Sequence, residues 1–199
     1  MRLQKAYDLR AEERESQLKD LWKVRERQRF LRYLRNQTCG TLLEIGAGVG
    51  HDSKFFADQG FAVIATDASA AMVQWCRAKH LTAYQKDFFA LDFAPESFDA
   101  VWALNCLLHV PKVDFALVLE GIHAVLNRGG LFYLGSYGGQ DSEGIWEADQ
   151  YDPPRFFSFY TDDAIQRAVR PWFTIRTFKA LDYGDPVLHF QAMILQKQA

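Results

Sequence analysis

Residues 41–52 read Thr-Leu-Leu-Glu-Ile-Gly-Ala-Gly-Val-Gly-His-Asp. The apolar run Leu42, Leu43 and Ile45 predicts a buried strand, Gly46, Gly48 and Gly50 a tight turn, and residues 52–59 a helix. In an α/β sheet, strand, glycine turn and helix let a ligand approach bare backbone at the carboxyl end of a strand. A pyrophosphate turn wants exposed N–H donors and a third glycine in G-x-G-x-x-G register. His51 occupies that third position, and Glu44 would set a carboxylate beside a dianion. The stretch therefore suits a cationic ligand better than a phosphate.

From Thr41 onward strand and helix alternate, the mark of a doubly wound, mostly parallel sheet. Strands are expected at 41–45, 61–66, 81–85, 98–104, 131–135, about 173–179 and 188–196, with helices near 52–59, 69–79, 111–126 and 161–169. Ser69 is placed to cap the second helix, and Pro111 to open the third. Thr161 caps the fourth, with Asp162 and Asp163 in its favourable first turn. Residues 136–160 read as an irregular loop, and that length inside one domain points to function. Residues 1–36 read as one or two helices, with apolar faces at Leu18, Leu21 and Trp22 and at Phe30, Tyr33 and Leu34. The organisation expected is an N-terminal helical extension or lid over 1–36 and one domain over 37–199.

The chain has 199 residues, 49% of them hydrophobic, enough for one ample core. Twenty-three basic and 25 acidic side chains give a net charge of −2, which argues against nucleic acid as partner. Arg25, Arg27, Arg29, Arg32 and Arg35 cluster, but acids are interspersed, so a solvated face is expected. Cys39, Cys76 and Cys106 are odd in number and lack CxxC spacing, as reduced cytosolic thiols would be. There is no apolar signal core and no stretch near the ~20 apolar residues that span a bilayer. A cytoplasmic protein with no membrane partner is the expectation. The five histidines lack metal-ligand spacing, so no metal is expected.

S-adenosylmethionine (AdoMet) carries a sulfonium and an ammonium and no phosphate, which fits the turn. Glu44-Ile45-Gly46-Ala47-Gly48-Val49-Gly50 resembles the first motif of class I AdoMet-dependent methyltransferases, and further landmarks follow in that family's order over roughly residues 40–197. The resemblance implies a Rossmann-like, seven-stranded sheet whose last strand is antiparallel, N-terminal helices beside the cleft, and AdoMet as cofactor. It assigns Glu44, Gly46, Ala47, Gly48 and Gly50 to the binding turn. Asp67, 17 residues beyond Gly50 at the end of the second strand, would accept from the ribose hydroxyls with Ala68 beside it. Asp87 and Phe88 would meet the adenine, and Asn105 and Leu107 the methionine side. The segment 103–111 departs from the Asn/Asp-Pro-Pro-Tyr/Phe motif that grips planar amino groups, which lowers the case for DNA bases or glutamine amides.

His109 is the one residue nearby that titrates near neutral pH, and is either a general base or a structural hydrogen-bonding residue. Tyr7 is either a lid residue or packing. In the 136–160 loop Tyr137, Trp146, Tyr151, Arg155 and Tyr160 would wall an acceptor pocket, and Glu143, Glu147 and Asp149 could select a cation. The function read is methyl transfer to O, N or S of a small molecule, by a monomer or homodimer. An NAD-dependent oxidoreductase and a non-catalytic AdoMet-binding regulatory module are the alternatives.

Overall fold

The chain alternates as the pattern predicts, because its strands are apolar on both faces and its helices on one. In the computed structural model, which describes residues 2–146 and 149–198, three helices come first, α1 (Arg2–Asp8), α2 (Ala11–Ser16) and α3 (Leu21–Asn36). β1 (Thr41–Ile45), α4 (His51–Asp58), β2 (Ala62–Asp67), α5 (Ala70–Ala78), β3 (Thr82–Gln85) and β4 (Phe98–Leu104) follow. Two short 3-10 turns, Leu107–His109 and Lys112–Asp114, precede α6 (Phe115–Val125) and β5 (Leu126–Gly138). A hairpin of β6 (Ser142–Ile145) and β7 (Phe156–Phe159), then α7 (Asp162–Val169), β8 (Thr174–Leu181) and β9 (His189–Gln196) complete the fold.

Seven strands form one sheet in the order β3-β2-β1-β4-β5-β9-β8. β1 pairs in parallel with β2 and β4, and β4 with β5, whereas β9 runs antiparallel to both β5 and β8. The expected mostly parallel sheet with an antiparallel last strand is therefore present. Alternation along the strands splits the core into two layers. Leu43, Ile45, Val101, Phe132 and Leu134 face α6 and α7, while Leu42, Trp102, Leu131 and Tyr133 face α3 and α4. Ser69 Oγ accepts from Met72 N, and Thr161 Oγ1 from Ala164 N, as the capping signals require.

Three local expectations change. The 136–160 segment contains the β6–β7 hairpin, which gives its backbone partners that a purely irregular loop would lack. Leu18 and Leu21 are 96% and 75% exposed, because α2 stops at Ser16 and the helical register does not run on from it into α3. The arginine face of α3 is partly buried: Arg29 pairs with Glu26 at 2.7 Å, and Arg27 reaches Asp52 at 2.9 Å. No helix among the described residues is long and apolar enough to cross a membrane.

Candidate active site

The turn after β1 forms the floor. Gly46 has φ +66°, and a Cβ there would lie 2.3 Å from Cys106 Cβ, so only glycine fits. Gly48 also has positive φ, and its N–H donates to Asp67 Oδ2 at 2.8 Å. Ser69 N donates to Asp67 Oδ1 at 2.9 Å, which fixes the carboxylate at the end of β2. Burial raises the pKa of Asp67, and these two backbone donors work against that. Over this floor lies a cleft of about 600 Å³, bounded by Gly46, Gly48, Asp67, Ala68, Phe88 and Asn105 among others.

Asn105 follows β4 in the left-handed region, φ +56°, a conformation asparagine tolerates better than most residues. Its Oδ1 is buried and has no hydrogen-bond partner among the described residues. A second cavity of about 1030 Å³ continues from the turn past Glu44, Ala47 and Asp52 to Lys19 and Lys23. Asp52 is salt-bridged to Lys19 at 2.5 Å and Arg27 at 2.9 Å, and Trp102 Nε1 donates to it at 3.2 Å. Burial works to raise Asp52, but the two cations outweigh it and hold the carboxylate below its usual range. Glu44, to which Ser53 Oγ donates, is pushed up to about 8 by burial, with Asp52 adding to the effect.

The third cavity, about 930 Å³, is lined by Tyr137, Trp146, Tyr151, Arg155, Phe157 and Tyr183 with other residues of the hairpin and of the segment before β9. Tyr7, Arg14, Asn105 and His109 border both this cavity and the cleft over the glycine turn. His109 Nδ1 lies 2.7 Å from the Phe156 carbonyl, and its Nε2 lies 2.8 Å from Tyr7 Oη. Arg155 donates to Tyr7 Oη at 3.1 Å, forms a paired contact with Asp149 at 2.7 and 3.0 Å, and stacks its guanidinium 3.5 Å from the Tyr151 ring centroid. Burial lowers His109 to about 4, and burial raises Tyr7 against the pull of Arg155.

Several expected site residues lie elsewhere. Gly50 caps α4 with its α-carbon against Cys76 and Leu81 rather than in the cleft. Leu107 is buried in the α6-side core, because the 3-10 turn points it inward. Asp87 lies outside all three cavities, and its Oδ1 accepts from Phe89 N at 2.9 Å within its own turn. Tyr160 packs against Phe115, with Lys112 over its ring, and does not line the acceptor cavity. The acids do not line that cavity either: Asp149 is held by Arg155, and Glu143 accepts from Lys112 N and Ser158 Oγ. Glu147 lies outside the described residues. The cavity carries Arg14, Lys23 and Arg155 against Asp185, so its charge is opposite to that expected.

Arg14 was not singled out from the sequence, yet it borders all three cavities. Its Nη1 donates to Tyr151 Oη at 3.2 Å, and its buried Nε has no partner among the described residues. It belongs to a short helix with three acids, and nothing in the spacing marks it. Lys23, Tyr183 and Asp185 were missed for the same reason: they converge only through the tertiary fold.

This sheet order, with a glycine turn leading from β1 and an acid ending β2, defines a class I, Rossmann-like methyltransferase fold. Residues 42–130 match a family model described as a methyltransferase domain. Over 137 residues the chain is 30% identical to 2-methyl-6-phytyl-1,4-hydroquinone methyltransferase of Synechocystis sp., covering 59% of this chain and 42% of that one. It is 29% identical over 127 residues to human glycine N-methyltransferase, covering 53% and 43%. The chain thus spans about two fifths of the length of these curated relatives. A Burkholderia thailandensis 1,6-didemethyltoxoflavin-N1-methyltransferase, solved with 1,6-didemethyltoxoflavin and S-adenosylhomocysteine, superposes with a TM-score of 0.71 at 20% identity, covering 100% of this chain and 91% of that one. The chain has the class I AdoMet-dependent methyltransferase fold, and within it residues 42–130 carry the match to the methyltransferase-domain family. Neither the oxidoreductase nor the regulatory-module reading draws support from these likenesses.

Proposed function

We propose that the protein binds AdoMet in the cleft over the glycine turn and transfers its methyl group to an oxygen, nitrogen or sulfur of a small molecule held in the adjoining aromatic cavity. The observation that carries this reading is the junction itself. Cofactor cleft and acceptor cavity meet across Tyr7, Arg14, Asn105 and His109, the arrangement that in-line displacement needs.

The residues present fit the cofactor. Asp67 keeps a free lone pair on each oxygen for the ribose hydroxyls beyond the two backbone bonds it accepts. Phe88 and Ala68 offer an apolar wall for the purine, and the unpartnered Asn105 Oδ1 and the nearby Glu44 offer acceptors for an ammonium. Arg14, which has no carboxylate partner among the described residues, supplies the cation for a carboxylate. Bound AdoMet brings a methyl group on positively charged sulfur, a leaving group already activated. The chain's own task is to position the acceptor and exclude water. Helices α1 and α2 roof the cleft and the β6–β7 hairpin walls the cavity, which serves both ends.

Calorimetry with S-adenosylhomocysteine tests the reading. Wild-type protein is expected to bind with micromolar affinity and Asp67→Asn at least about tenfold more weakly, one lost charged hydrogen bond being worth about 1.5–3 kcal/mol. Absence of wild-type binding would reject it.

A further inference from the structure

We propose that Tyr7 is the catalytic residue that takes the acceptor's proton, that His109 positions it and receives the proton in turn, and that the acceptor is a planar molecule bearing O–H or N–H. This rests on the methyltransferase reading above. Of the four side chains at the junction of cleft and cavity, Asn105 is an amide and the Arg14 guanidinium has no acceptor atom. Only Tyr7 and His109 can move a proton there.

Their hydrogen bonds assign the roles. The Phe156 carbonyl can only accept, so His109 Nδ1 carries the hydrogen. In the neutral ring Nε2 is then a bare lone pair, and the Tyr7 hydroxyl donates to it. His109 therefore spends its basic nitrogen on Tyr7 and does not present it to the cavity. Tyr7 Oη also accepts from Arg155, which leaves one lone pair open. The proton-accepting position open to an acceptor is the phenolic oxygen.

The step balances as follows. The S–CH3 bond breaks and an X–CH3 bond forms, where X is the acceptor atom. The X–H electrons remain on X, its proton passes to Tyr7 Oη, and the Tyr7 proton passes to His109 Nε2. The positive charge that began on sulfur ends on an imidazolium whose Nδ1–H is already held by a carbonyl. Burial makes His109 a weak base, with Arg155 and Arg14 also disfavouring its charged form and Asp149 favouring it. A weak base is sufficient, because a hydroxyl or ring N–H that has gained a methyl is a far stronger acid than imidazolium. The same weakness keeps His109 neutral and ready throughout the neutral pH range. Tyr137, Trp146, Tyr151 and Phe157 give the cavity flat apolar walls suited to an aromatic ring. A thiol ionises close to neutral pH by itself and has no use for the relay.

The test uses full-length protein, AdoMet and the probes 2-naphthol, 8-hydroxyquinoline, 1(2H)-isoquinolinone and thiophenol, with release of S-adenosylhomocysteine as readout. Turnover of at least one O–H or N–H probe is expected, and Tyr7→Phe should lower its kcat about 100-fold or more while the acceptor KM changes less than about threefold. A residue that merely latches the lid would instead raise KM and leave kcat and its pH profile alone. Independently of turnover, ¹⁵N NMR should show His109 protonated on Nδ1 and bare on Nε2 from pH 5.5 to 8, with the Nε2 signal shifting in Tyr7→Phe. The assignment is overturned by a Tyr7→Phe kcat within threefold of wild type, by an Nε2–H tautomer, or by turnover confined to thiophenol. Normal S-adenosylhomocysteine binding with no turnover of any O–H or N–H probe also overturns it. Loss of that binding in the wild type sinks the methyltransferase reading itself, so the two failures are distinguishable.

Discussion

His109 and Glu44 are buried titratable groups whose environments push them in opposite directions. The ring of His109 keeps its neutral form down to about pH 4, whereas in the unfolded chain it gains a proton near 6.5. Its folded pKa is depressed, so its stabilising contribution is fully present above pH 6.5 and is lost as pH falls towards 4. The full loss is about 3 kcal/mol, at 1.36 kcal/mol per pKa unit. His109→Gln should therefore flatten the acid limb of a stability-against-pH curve measured by urea unfolding. An unchanged limb would show that other groups govern it. Glu44 has the reverse sign: its pKa is raised to about 8, so its contribution is present below its unfolded value near 4.5 and is lost as pH rises through 8. A cation arriving beside Glu44 favours the carboxylate, so AdoMet binding near pH 7 should release up to about one proton. Calorimetric enthalpies in buffers of different ionisation heat measure that release, and Glu44→Gln should abolish it.

At the scale of elements, the parallel strands and their helices were legible because each carries its own signal: an apolar run, a cap, a glycine turn. Thr161 and Ser69 cap as read, and Asp67 ends β2 where the ribose argument needs it. The roof and the hairpin were not legible to the same depth. Tyr7, Arg14 and Arg155 come together from α1, α2 and the stretch before β7, and no spacing rule links residues about 140 positions apart in sequence. Ala6, Ala11, Val49 and Met72 supply the roof with a small apolar contact, and Asp8 Oδ1 accepts from Ser69 Oγ at 2.5 Å and Ala71 N at 3.1 Å. Glu15 adds a 2.5 Å contact to Lys79. The roof's other ties are the polar contacts of Tyr7 with His109 and Arg155 and of Arg14 with Tyr151, and an element held mainly by polar contacts opens locally before the domain unfolds. Asp8→Ala should weaken its docking by about 1 kcal/mol. S-adenosylhomocysteine dissociation should then be about fivefold faster in stopped flow, with global stability unchanged. An unchanged off-rate would mean that the ligand leaves by another route.

On the scale of the whole molecule, the three N-terminal helices do different things. The sequence suggested one extension over residues 1–36, because a helical run preceding the first strand gives no sign of which layer it joins. Packing separates α3 from the other two. Phe30 is fully buried, with its ring centroid 5.4 Å from Trp102, 5.6 Å from Tyr133 and 6.3 Å from Phe56. Leu31 and Leu34 are buried beside it in the same layer. Without α3, the face of β1, β4 and β5 that carries Leu42, Trp102 and Tyr133 would keep α4 but lose the cover of Phe30, Leu31 and Leu34, exposing apolar surface to water. Removing the Phe30 ring leaves a cavity at the centre of that layer, at a cost of about 3–5 kcal/mol. Phe30→Ala should therefore lower the midpoint of one urea transition, seen equally by tryptophan fluorescence and far-UV circular dichroism, with the slope unchanged. A dispensable extension would instead melt in an earlier, separate step and leave the main midpoint where it was. Coincident, jointly shifted transitions would make α3 a structural layer of the methyltransferase domain, with α1 and α2 alone as its movable cover.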